Sequence, residues 1–176
     1  MSTTTIKDPI EDARRRIDRL HTFAHSGVAP DSSRIRRHLD ALHREEASAL
    51  AAARKAPEEI EEKLGQLRTR LAVAEYALVA DISDEWTTFA AAVEDELRNW
   101  GVYLERVQAT AAKAGDARER AEAAIADVRT ERITVHERLT QARADVNGAW
   151  HEQRSHVSAA RDELARKADE LPAKIK

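Results

Sequence analysis

Seven histidines and a dense set of carboxylates are the residues here whose types could hold a metal or move a proton. Di-iron carboxylate bundles carry Glu-x-x-His on two helices, because that spacing puts both ligands on one helix face. No Glu-x-x-His occurs in this chain. The nearest patterns are Asp18-x-x-His21 and Asp40-x-x-His43, which lie beside the apolar stripes and face solvent. His151 and His156 are one residue too far apart to share a zinc on one helix face. Cysteine is absent, which excludes disulfides, thiolate catalysis and cysteine-ligated zinc. No serine is flanked by glycines, and Gly27, Gly65, Gly101, Gly115 and Gly148 stand alone. Neither a nucleophile elbow nor a phosphate-cradling loop is therefore written here. The expectation is a non-enzyme with no catalytic residue, no metal and no cofactor.

Charge gives two further candidates. Glu46 and Arg118 interrupt two apolar stripes at equal distances from Ile82, which predicts an interhelical ion pair that sets register rather than chemistry. The densest basic cluster, Arg34-Ile35-Arg36-Arg37, has no aromatic neighbours on which bases could stack, so it reads as a solvated face. With a formal net charge of -3, no global field draws the chain to nucleic acid.

The elements that must position these residues are helices. Charged residues make up 35% of the 176, aromatic residues only 4%, and there are 5 glycines and 4 prolines. Such a composition supplies few turns and long helices. The first stripe runs Ile35, Leu39, Leu42, Ala49, Ala53, Ile60, Leu64, Leu67, Leu71, Ala74, Leu78. The second runs Trp86, Ala90, Val93, Leu97, Trp100, Leu104, Val107, Ala111, Ala121, Ile125, Val128. Folded at Ile82, they set Leu39 by Ile125, Ala53 by Ala111, Leu64 by Trp100 and Leu71 by Val93. The expected fold is all-α: an elongated antiparallel hairpin with helices over about 9-25, 33-80 and 84-171. Residues 1-8 are expected to fray, 9-171 to form one elongated domain, and 172-176 to be a tail. Asp8-Pro9 is the expected start and Leu171-Pro172 the expected end, while Ser26-Gly27 breaks the chain and Ser83 or Asp84 caps the third helix. Because neither stripe loses phase there, the helices are expected to cross Pro57, with a kink, and Gly115. Asn147-Gly148 is a candidate break, since the stripe shifts phase soon after it.

Unbroken, the last helix spans about 130 Å at 1.5 Å per residue and overshoots its partner. Val135, Leu139, Val146 and Trp150 on that overhang need a cover, and Tyr76, Trp86, Phe89, Trp100 and Tyr103 thicken the apolar surface near the hairpin tip. Together they are the candidate docking surface, with a second copy of the chain and an unidentified protein as expected partners. No segment is apolar enough to cross a membrane and no secretory leader is evident, which suits a soluble, cytoplasmic protein. The functional expectation is a self-associating coiled-coil scaffold or protein-protein interaction module. The alternative is an amphipathic coat on a lipid or polymer granule, which the narrow, alanine-rich stripes favour less.

Overall fold

Helix ends fall where the backbone chemistry of particular residues stops a helix. The computed structural model describes residues 3–27, 32–145 and 148–175. Among them are six α-helices: α1 (Thr3–His25), α2 (Ser32–Lys55), α3 (Ile60–Ile82), α4 (Trp86–Ala111), α5 (Arg118–Ala144) and α6 (Trp150–Lys174). Gly27, at φ 73°, follows α1 in the left-handed conformation that glycine adopts at no steric cost. Pro9 lies inside α1, one of whose backbone bonds it forgoes, and Pro172 lies inside the final turn of α6, so neither proline marks the end expected of it. Ser83 serves the helix before it: its hydroxyl donates to the Val79 carbonyl at 2.6 Å, and Glu85 occupies the N-cap of α4 without a side-chain cap.

Pro57 and Gly115 both end helices, contrary to the continuity expected at each. Ahead of the proline, Ala56 leaves the helical region at φ -144° and ψ 68°, and Pro57–Glu59 forms a single 3-10 turn. A proline ring disfavours helical geometry in the residue before it, and here the chain turns rather than kinks. Gly115 sits at φ 55° and opens the 3-10 turn Gly115–Ala117. Both loops are commensurate with the helical repeat, so the stripes keep phase across true turns. The candidate break near Gly148 is also a turn, α5 ending at Ala144 and α6 beginning at Trp150; Val146 and Asn147 lie outside the described residues.

These turns overturn the mirrored pairing. The first stripe buries Ile35, Leu39, Leu42, Ile60, Leu64, Leu67 and Leu71 in one core with Ile10, Ile17 and Leu20 of α1. The second buries Val93, Leu97, Trp100, Leu104, Ile125 and Val128 in another core with Val135, Leu139, Val157 and Leu164. Each stripe also folds on itself, α2 against α3 and α4 against α5, while the α3–α4 hairpin at Ile82 remains the most extensive helix pair and lends Val73 and Ala80 to the second core. Helices of this length span about 35–40 Å, so a six-helix bundle stands in place of the 130 Å rod. No helix of the described residues is long and apolar enough to cross a membrane.

The two triplets of helices meet along the second face of α3, where Gly65, Gln66, Thr69, Arg70, Val73, Ala77 and Ala80 are all buried. Its small residues let α3 approach α4 closely, while long arginines of α6 reach across to it. Its polar ones make that seam charged.

Candidate functional site

The seam carries a chain of buried polar side chains from four helices. At the end nearest the α3–α4 turn, Asp81 is 5% exposed and receives both Arg34 of α2 and Arg161 of α6, the latter at 3.0 Å. Arg161 also donates through Nε to Glu96 of α4 at 2.7 Å and through Nη2 to the Ala77 carbonyl at 3.2 Å. Arg34 reaches Asp162 at 2.8 Å. Arg154 of α6 donates to the carbonyls of Ala80, Asp81 and Ser83, answering the negative C-terminal end of α3 while lying near the Phe89 and Trp150 rings. Burial raises the Glu96 carboxyl above its ordinary range, although Arg161 pulls the other way.

At mid-seam, His38, Arg70 and Trp100 lie together. The Arg70 guanidinium is 4.2 Å from the Trp100 ring centroid, a cation–π contact shielded from water. Burial, reinforced by Arg70, Arg161, Arg34 and Arg37, holds His38 well below the usual histidine range, so it is neutral. Both His38 ring nitrogens, Arg70 Nη1 and Trp100 Nε1 meet no hydrogen-bonding partner. An unmet buried polar atom costs about 1–3 kcal/mol, so this stretch trades stability for polarity.

At the far end the seam opens into a cleft of about 510 Å3 between α2, α3, α4 and the last turns of α6. In its wall, Arg70 pairs with Asp169 at 2.5 Å and the Tyr103 hydroxyl donates to Glu45 at 2.9 Å. Burial raises the Asp169 carboxyl and the Tyr103 phenol. Ala47, Ala51, Val107, Leu171, Pro172 and Ile175 supply an apolar lining, with Arg44 and Lys63 at the α2 and α3 sides. Such a cleft can bind and orient a molecule with an apolar body.

The residues singled out from sequence fall differently. Glu46 pairs with Arg14 of α1 at 2.6 Å, and Arg118 pairs with Glu122 of its own helix at 2.7 Å. They do not meet, because the turns at Pro57 and Gly115 send α2 and α5 to different triplets. Of the expected docking surface, Phe89, Trp100, Tyr103, Val135 and Leu139 are interior. Trp86 and Trp150 pack edge to face at the end of that core, 5.4 Å between centroids. Helix α6, folded back on α5, covers the overhang that was to need a second chain. Tyr76 alone of the described members is exposed. Val146 lies outside the described residues. No group of three or more His, Cys, Asp or Glu among the described residues is placed to hold a metal.

Arg34, expected on a solvated face, is instead buried in the seam against Asp81 and Asp162. Arg70 and Arg161 escaped the sequence reading, although Arg161 stands four after Val157 and three before Leu164, within the apolar phase of α6. Arginine at a stripe position was the available signal. Compared with protein-family models, with curated proteins and with solved structures, the chain shows no match.

Proposed function

We propose that the chain is a non-enzymatic protein-protein interaction module that docks an amphipathic helix of a partner along α1 and α3. The observation that carries this reading is a cluster of four large exposed apolar side chains on two adjacent helices. Phe23, Tyr76, Val79 and Ile82 are between 36% and 41% exposed. Arg16 grips Glu75 through two hydrogen bonds of 2.9 and 2.6 Å, which fixes α1 beside α3. Seven residues further along each helix, on the same faces, stand Phe23 and Ile82, with Val79 one turn and Tyr76 nearly two turns before Ile82. Two adjacent helices bearing large apolar side chains offer the groove into which a third helix lays its own apolar face.

A different protein suits this face better than a second copy. The case for self-association rested on an uncovered stripe, and α6 covers it. A granule or lipid coat would need the triplets to open, against the charged staples of the seam.

The double change Val79→Asp with Ile82→Asp tests the proposal, since neither side chain is interior. The expected result is a protein retained by the wild-type chain and lost by the variant, with identical circular dichroism. Equal retention by both would sink the reading. A concentration-dependent dimer in sedimentation, abolished by the same variant, would replace the foreign helix with a second copy.

A further inference from the structure

Beyond that docking face, we propose that the α2–α4 cleft is a binding site for a single-chain amphipathic carboxylate. Its tail would lie on the apolar lining, and its head would meet Arg44 and Lys63. The volume, about 510 Å3, falls in the range of small-molecule sites, which span roughly 300–1,000 Å3. Charge decides the class of ligand. Every carboxylate in the cleft is engaged, Asp169 by Arg70 and Glu45 by the Tyr103 hydroxyl. Glu62, just outside, takes Thr110 and Lys113. Arg44 and Lys63 form no ion pair among the described residues, and they are the cations left to answer a ligand's charge. The lining sets Arg44, Lys63 and Arg70 against Glu45 and Asp169, an excess of one positive charge that favours an anionic head over a cationic one.

The same geometry argues for a free molecule over a bilayer. Leu171 and Pro172 of α6, with Ile175 just after it, wall one side of the cleft, so the apolar lining is recessed between helices rather than spread over a face. Each added methylene should tighten binding about fourfold until the lining is covered.

Calorimetric titration with octanoate, decanoate and dodecanoate, each kept below its micelle concentration, tests the proposal, with dodecyltrimethylammonium as the opposite charge. The expected result is saturable one-to-one binding that tightens with chain length, the cation being weaker by about tenfold or more. Ala47→Trp and Ala51→Trp, both at exposed positions lining the cleft, should each abolish it with the melting curve preserved. Arg44→Glu with Lys63→Glu should reverse the preference between the two heads. Should either tryptophan variant fail to fold, this reversal decides alone. No saturable binding of dodecanoate, equal binding of the cation, or binding undiminished in the folded variants would each overturn the site. Binding only to vesicles of anionic phospholipid would overturn it in favour of a membrane surface.

Discussion

The two ends of the seam are built from the same residue types and differ in how tightly these are closed. Near the α3–α4 turn, Arg161 and Asp81 are 0% and 5% exposed, and three helices converge on one carboxylate. At the cleft, Arg70 is equally buried, yet its partner Asp169 is 15% exposed and faces open space. A buried arginine is therefore no guide to function by itself. What distinguishes a structural staple from a binding wall is whether room remains beside it.

The sharpest way to break this comparison is Arg161→Met. It strands Glu96 in the interior and leaves Asp81 with Arg34 alone, and removing one partner of a buried pair typically costs about 3–5 kcal/mol. Urea unfolding monitored by circular dichroism should show that loss, and a variant as stable as wild type would show the network to be idle. Arg70→Met should cost less, about 1–3 kcal/mol, because Asp169 keeps access to water in the cleft. Equal losses at the two ends would erase the distinction. Side-chain enlargement sharpens it further. Ala80→Leu, at a fully buried seam position, should cost about 1–3 kcal/mol through overpacking. Ala47→Leu, in the cleft wall, should change stability by no more than about 0.5 kcal/mol. The smallest effect concerns pH. Glu96 faces Arg161, Asp81 and Arg34, and burial raises its carboxyl above 4.5. A raised carboxyl holds its proton longer when folded than when unfolded. The stabilisation it gives is complete below about 4.5 and is lost as pH climbs through the raised value. Unfolding midpoints measured relative to Glu96→Gln should therefore fall with rising pH across that window; a rise would show that pairing with Arg161 outweighs burial.

Helix content was legible because composition and three-four spacing report it directly. So were the turn after Ile82 and the break at Gly27. The breaks at Pro57 and Gly115 were hidden by loops that preserve helical phase, since a stripe records which residues are buried and not which neighbour buries them. For the same reason Leu64 and Trp100 read as facing partners when they belong to separate cores. The second buried face of α3 was written in Gln66, Arg70, Val73, Ala77 and Ala80. A stripe of small and charged residues does not stand out beside Leu64, Leu67 and Leu71. Nothing in one-dimensional spacing could reveal the cleft, which exists because α2 and α6, distant in sequence, stop short of filling the space between them.

The order of the helices also has a consequence in time. Each helix packs on its neighbours in the chain, and bundles with such local contacts fold fast. The seam is the exception: Arg34 to Asp162 closes 128 residues and Arg70 to Asp169 closes 99. Closing so much chain is costly in loop entropy, so these bonds are expected late in folding. Weakening them should quicken unfolding while leaving the refolding rate nearly untouched. The charged seam then adds to how long the two halves, already joined through the α3–α4 hairpin, stay together once folded.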